Sequence, residues 1–412
     1  MKRFAAIANA GKSHQMAMRA IGRELRKQGH DLLLLGTEYQ KTQFSSSDLP
    51  FLVVGSGSKD PVRRYFERAA EQPNLPVSAT VEYMKGMAQL LSAEAPALLK
   101  QENIDFVLAD QEEPGAATAA DLAGLPYATV CCSLPLNFDR TIPPGFFGWK
   151  YQDSVGSCLR NRLGYAVRNL VVKGVHDLLN VHRSRAGLPL YRTPEDSFSQ
   201  RLQITQSVKE FDFPRKNLPS IFEYVGPFQR EALSPVDFPY ERLNGKPLIY
   251  ASLGTTFGKD TGPLRRVAEA CRNLDVQPVI SLGGCEPAFG GQPFPGETIV
   301  VRYAPQRDLL SRCALAVTHA GLNTTLEALS FGVPLLALPI AGDQAGVAAR
   351  ISHHGVGIAL GHRERTVDRI RQAIVSLLEN SKWKAAAQRM QSCIDRTGGA
   401  AQAADRIGRL AT

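Results

Sequence analysis

The chain of 412 residues is 44% hydrophobic and 21% charged, with a formal net charge of +9. That length exceeds one ordinary domain and that composition fills sizeable apolar cores, which excludes disorder over most of the chain. Seven scattered cysteines without a CxxC pair exclude a disulfide framework and a structural zinc site, and no run reaches the roughly 18–20 apolar residues that cross a bilayer.

The periodicity predicts a strand at Arg3–Ala8, a helix at Gln15–Gln28 closed by Gly29, and a second strand at Asp31–Leu35. The apolar segment that opens this series, Phe4–Ala10, is shorter than a signal peptide core and lacks a cleavage pattern, so a reducing, cytoplasmic setting is expected. Strands at Phe106–Leu108 and Tyr127–Cys131 flank a helix at Gly115–Leu122, the spacing of βαβ units and a parallel sheet. Pro227, Pro235, Pro239 and Pro247, with Gly226 and Gly245, then break the pattern and mark a linker at 226–247. A second series follows: strand Leu248–Ser252, helix Leu264–Asn273, strands Pro278–Leu282, Thr298–Val301 and Leu315–Thr318, helix Asn323–Phe331, and strand Pro334–Leu338. The Ala- and Arg-rich stretch Ser381–Leu410 reads as one or two closing helices. The fold class is therefore α/β with two Rossmann-like domains facing across a cleft, divided as 1–225, a linker 226–247, 248–380, and closing helices at 381–412.

Familiar nucleotide loops do not fit. Ala10-Gly11-Lys12-Ser13 looks like the end of a P-loop, but Ala6 stands where its first glycine belongs, and Gly55-Ser56-Gly57-Ser58 lacks the third glycine of a dinucleotide fingerprint. HExxH, GxSxG and zinc-ligand clusters are missing from the sequence, so no metal and no cofactor are expected. The dense signal lies between Arg302 and Val347. Tyr303-Ala304-Pro305-Gln306 offers a flat ring for a base. His319, Ala320 and Gly321 then turn into a helix at Asn323 and Thr324, whose free N–H groups favour an anion. Glu327 stands one turn further on, able to accept from a ribose diol, and Asp343-Gln344 can bond vicinal hydroxyls. Taken singly, Asn323 and Thr324 could merely cap a helix and His319 could be a satisfied turn residue.

As a set, this segment resembles the C-terminal signature of family 1 nucleotide-sugar glycosyltransferases, which have the GT-B fold. The resemblance implies that Tyr303 stacks on uracil in place of the usual Trp, and that Gln306 contacts base or ribose. It also implies that His319, Asn323 and Thr324 hold the diphosphate, Glu327 the ribose, and Asp343 and Gln344 the sugar. Ser252-Leu253-Gly254-Thr255 resembles the loop that also touches phosphate, so Ser252, Gly254 and Thr255 join the donor set with Ala304 and Gly321. In the first half, Ser13-His14 resembles the family's opening pattern, implying His14 as catalytic base. Asp110 matches the carboxylate that orients it, a role for which Glu112 and Glu113 also stand close enough. A C-terminal helix crossing back to the first domain and metal-independent, inverting transfer are further implications.

Asp110-Gln111-Glu112-Glu113-Pro114-Gly115, Leu134-Pro135-Leu136-Asn137 and Asp343 to Arg350 resemble bacterial glucosyltransferases that act on zeaxanthin, implying UDP-glucose as donor and a lipophilic hydroxylated acceptor. Macrolide, sterol and phenolic acceptors, a nucleotide-sugar 2-epimerase and a non-catalytic nucleotide-sugar binder are the alternatives. Between Lys150 and Arg192, eight Lys or Arg face only Asp153 and Asp177. Val155–Arg185 interleaves them with apolar residues at helical spacing, so peripheral contact with an anionic membrane, on the inner face of the plasma membrane, is expected. The run Ile142–Trp149 reads as an acceptor channel, a lipid contact or a core-filling loop. No nucleic-acid module accompanies the charge, and no nucleic-acid partner is expected.

Overall fold

The computed structural model describes residues 1–43, 49–55, 60–71, 75–229, 236–254, 260–284 and 293–411. Ser56–Ser58, Thr255 and Cys285 lie outside the described residues. The first half runs β1 (Arg3–Ile7), α1 (Lys12–Lys27), β2 (Asp31–Gly36), α2 (Glu38–Gln43), β3 (Phe51–Val53), α3 (Pro61–Glu71) and α4 (Val77–Gln101). It continues through β4 (Phe106–Asp110), α5 (Pro114–Ala123), β5 (Tyr127–Cys131), α6 (Val155–Arg185), β6 (Gln203–Thr205) and β7 (Phe222–Tyr224). Its strands form one sheet in the order β3-β2-β1-β4-β5-β6-β7.

The second half runs β8 (Leu248–Ser252), α7 (Gly262–Cys271), β9 (Gln277–Ser281), β10 (Ile299–Val301), α8 (Gln306–Arg312) and β11 (Cys313–Thr318). Then come α9 (Leu322–Ser330), β12 (Leu335–Ala337), α10 (Gln344–His353), β13 (Gly357–Ala359), α11 (Val367–Glu379), α12 (Ser381–Asp395) and α13 (Gly399–Ala411). The second sheet is ordered β10-β9-β8-β11-β12-β13. Described strand pairings are parallel in both sheets.

Parallel strands covered by helices on both faces must be apolar throughout, and β4 and β8 are buried along their whole lengths. Each sheet reverses its strand order once, between β1 and β4 and between β8 and β11, and ligands of open α/β sheets bind outside such points. His14 and Asp110 follow or end the strands of the first switch point, and Gly254 and His319 those of the second.

Two apolar clusters of described residues span the halves. Ala400, Ala403, Ala404 and Ile407 of α13 are buried with Ala17, Met18, Ile21 and Leu25 of α1, so the last helix crosses back to the first sheet's layer. Leu134, Val208 and Phe211 share a second cluster with Leu322, Val347 and Ile351.

The segment Val155–Arg185 is a single helix, opened by the Ser154 hydroxyl accepting from the Ser157 N–H at 3.2 Å. Its inner face buries Val175 and Leu179 with Ala88 of α4, and Tyr165 against Phe138, 4.9 Å between ring centroids. The basic residues of this segment do not all face outward. Arg168 and Arg183 turn inward, to Glu195 at 2.7 Å and Asp121 at 2.6 Å, because buried guanidinium groups require partners.

Candidate active site

The turn after β1 aims the first turn of α1 at the end of β4. Gln15 donates its side-chain amide to the carbonyls of Ala8 and Asn9 at 3.3 and 3.2 Å, and the Gly11 N–H donates to Asn9 Oδ1 at 3.0 Å. A side chain at Gly11 would press on the His14 ring, its Cβ lying 3.3 Å from Cδ2. So placed, His14 Nδ1 lies 2.6 Å from Asp110 Oδ2. The Asp110 carboxylate is itself fixed by the N–H groups of Asn9 at 3.1 Å and Glu112 at 3.0 Å. Burial alone pulls the His14 imidazole down, but the Asp110 carboxylate, aided by Cys132 and Glu112, lifts it well above its ordinary value of 6.5. The pair has the geometry of a general base and its orienting carboxylate.

The other imidazole nitrogen meets a second carboxylate, with Nε2 3.8 Å from Glu112 Oε2. Burial raises the Glu112 carboxyl, and the Ser133 hydroxyl donates to it. Glu113 is pushed up to about 8, first by burial and then by Asp110. Among the described residues, His14, Asp110 and Cys132 are the group whose ligand atoms converge closely enough to hold a metal ion. Burial pushes the Cys132 thiol up to about 12.

Across the cleft, the turn between β11 and α9 is built around one imidazole. Gly254 has φ +76°, and a Cβ there would lie 2.8 Å from the His319 ring; a Cβ on Gly321 would lie 2.5 Å from it. Only glycine fits at both positions. Ala320 between them is held at φ +64°, a strained conformation of the kind that gathers at functional sites. Burial pulls His319 down to about 4, and its Nδ1 is buried without a hydrogen-bond partner. No side chain caps α9, so the amides of Leu322, Asn323 and Thr324 are available to an acceptor outside the helix. A neutral imidazole and three amides can together hold an anion.

The remaining expected donor residues surround this turn. Gln306 takes the Tyr250 hydroxyl on its Oε1 at 3.0 Å and donates to Glu327, which also lies 3.5 Å from Arg307. The Tyr303 ring is 43% exposed, with Ala304 beside it partly buried, and the Lys12 ammonium lies 5.5 Å from the ring centroid. Gln344 accepts the N–H groups of Ile340 at 2.8 Å and Ala341 at 3.0 Å, which shapes the loop before α10. The Ser252 hydroxyl accepts the Gly254 N–H at 3.3 Å. Thr324 is partly buried on the first turn of α9.

The two groups close on each other across a narrow gap. Asn323 Nδ2 donates to the Ser13 carbonyl at 3.4 Å, and the Leu134 N–H donates to Asp343 Oδ2 at 3.4 Å. Asn323 also accepts Gln206 Nε2 at 2.6 Å. Gln206 carries no motif and escaped the sequence reading. Lys12 was legible only as part of a P-loop that the turn is not. The loop expected to line a channel or touch lipid also docks across the gap: a Cβ on Gly346 of α10 would lie 2.2 Å from the Gly145 carbonyl oxygen.

The family model for UDP-glucoronosyl and UDP-glucosyl transferase matches residues 6–396. The chain is 33% identical to a zeaxanthin glucosyltransferase of Pantoea ananas, covering 99% of this chain and 95% of the relative. A zeaxanthin glucosyltransferase of Pseudescherichia vulneris is 28% identical, over 87% of this chain and 86% of its own. Among solved structures, glycosyltransferase VinC in complex with DTDP is 20% identical with a TM-score of 0.70, covering 100% of this chain and 99% of its own.

Proposed function

From the premise that this chain belongs to the UDP-glucoronosyl and UDP-glucosyl transferase family, and is a glycosyltransferase, we propose that it moves glucose from UDP-glucose to a hydroxyl of zeaxanthin or a related hydroxycarotenoid. One observation carries the mechanism: the His14–Asp110 pair at one sheet's switch point faces the uncapped start of α9 at the other's. In this reading His14 Nε2 takes the proton of the acceptor hydroxyl as its oxygen bonds to the anomeric carbon. The bond from that carbon to the UDP oxygen breaks on the opposite side, so the configuration inverts. Asp110 holds Nδ1–H and stabilises the imidazolium that forms.

The departing diphosphate is received by the amides of residues 322–324 and the neutral His319 imidazole, with Thr324 and the Ser252–Gly254 turn beside them. Tyr303 takes the uracil, Gln306 and Glu327 the ribose, and Asp343 and Gln344 the sugar hydroxyls. No metal enters the reaction, since fixed dipoles and hydrogen bonds take up the charge. The similarity to two zeaxanthin glucosyltransferases supports the acceptor, and the DTDP in complex with VinC supports a nucleotide-diphosphate donor. A carotenoid dissolved in a leaflet would be met at the cytoplasmic face of the membrane.

Mass spectrometry of products from UDP-glucose and a panel of carotenoid, sterol, macrolide and phenolic alcohols tests the reading. It predicts a mass gain of one or two hexoses on zeaxanthin. Glycosylation confined to the other acceptors would replace the carotenoid, and epimerised donor without transfer would remove the reaction itself.

A further inference from the structure

The face of α6 turned away from the protein is apolar. Val155 is 89% exposed, Leu159 and Leu163 61%, Val167 53%, and Leu170 72%. Their spacing of three or four residues sets them along one side of the helix, opposite the buried Tyr165, Val175 and Leu179. A helix on a globular surface ordinarily shows the reverse pattern, and an outward apolar stripe of this extent marks a contact surface. From Val155 to Leu170 the stripe runs about 22 Å along the helix, so it suits an extended, flat partner better than a pocket.

Charge selects the partner. Arg162 and Lys173 lie along one edge of the stripe and Arg185 near the other, and Arg162 and Arg185 make no ion pair with any described residue. The acid on this face, Asp177, is already paired with Lys173 at 2.7 Å. Two copies meeting stripe to stripe would bring like charges together at the margins, whereas an anionic surface would match them.

We infer that the outward face of α6 docks flat on an anionic lipid bilayer, with Val155, Leu159, Leu163, Val167 and Leu170 at the acyl boundary and Arg162, Lys173 and Arg185 among the headgroups. The geometry is that of an interfacial helix: among the described residues no helix is long and apolar enough to cross a membrane. Docking also orients the cleft. The segment just before α6 reaches the second half: Tyr151, stacked on Phe213 of its own half at 5.3 Å, meets His353 at 5.4 Å, and Gly148 lies against Ala345. The cleft-side end of the helix is therefore the end where the stripe begins. The docking surface itself does not depend on the identity of the acceptor.

Flotation of the full chain with vesicles tests this, using phosphatidylcholine alone and phosphatidylcholine with one third phosphatidylglycerol. The chain is expected to float with the anionic vesicles, less with neutral ones, and less as salt rises. Leu159→Gln/Leu163→Gln/Leu170→Gln should lose most of the binding, and Arg162→Glu/Lys173→Glu should lose on the order of five-fold per cation on anionic vesicles only. All are surface changes, and calorimetric UDP affinity equal to the parent's verifies that each variant is folded. Equal flotation of parent and Leu variant, no flotation of the parent, or a parent dimer that the Leu variant turns into a monomer would each overturn the inference. Since none of these readings uses turnover, a wrong acceptor would leave them unchanged.

Discussion

At the scale of single residues, the proposed reaction turns on the protonation of His14. Only the neutral imidazole can accept the acceptor's proton, and its neighbours raise its pKa above 6.5. Activity should therefore rise with pH through that raised value, and the acid limb of kcat/KM should lie above 6.5. Glu112→Gln removes a negative charge 3.8 Å from Nε2, which makes the imidazolium less favourable, so the limb should move to lower pH. A pH profile left in place by that change would show that the carboxylate does not act on the base. His14→Ala should lower kcat by about 10²–10⁴-fold with UDP affinity unchanged, measured by initial rates and calorimetry. A parallel loss of affinity would give His14 a structural role instead. Gly321→Ala acts on the other side of the cleft: its Cβ would displace the His319 ring, and weaker UDP binding with an intact fold is the expected outcome. That His14 and Asp110 meet, and that Gly254 and Gly321 crowd His319, was foreshadowed by motifs whose side chains stand in order along the chain. Gln206 and the Lys12 contact were not, since they arise only when the halves come together.

At the scale of elements, legibility followed burial. Runs such as Tyr127–Cys131 and Leu248–Ser252 coincide with β5 and β8, because a strand buried on both faces is apolar over most of its length. The three-residue strands β6, β7 and β13 mix glutamine, threonine, glutamate or glycine into their runs, so no apolar stretch shows, unlike the equally short β10 (IVV) and β12 (LLA). Val155–Arg185 was readable as a helix, but which face turned outward was not, since both faces carry apolar residues and the tertiary contacts decide. α13 shows what such contacts are worth. Its Ile407 is buried against α1, the helix that carries His14. Ile407→Ala should cost about 2–5 kcal/mol of stability in urea unfolding, and an unchanged midpoint would mean that α13 does not brace the first half.

At the scale of the whole molecule, two sheets become one enzyme through buried polar contacts as well as apolar ones. Arg350 of α10 donates to Asp212 Oδ1 from Nε at 2.9 Å and from Nη2 at 2.6 Å, and Arg215 holds the other carboxylate oxygen at 2.7 Å. Burial works against the Asp212 charge, but Arg215 and Arg350 hold its carboxyl well below the usual range. Arg350→Ala leaves that carboxylate one partner short and should cost about 3–5 kcal/mol, seen by calorimetry as an earlier or divided transition. A single unshifted transition would show that the ion pair is not what joins the halves. Two α/β halves with a cleft were foreseeable from the repeated strand–helix alternation, whereas the pairing of Asp212 with a residue 138 positions away was not. The claim that gathers these scales is that a nucleotide diphosphate sits between the start of α9 and His14. A crystal structure with uridine diphosphate bound tests it most directly. The predicted result has uracil on Tyr303, phosphate oxygens at the amides of residues 322–324 beside His319, and His14 Nε2 facing the leaving group across the cleft. A nucleotide seated elsewhere, or phosphates turned away from His14, would contradict the account.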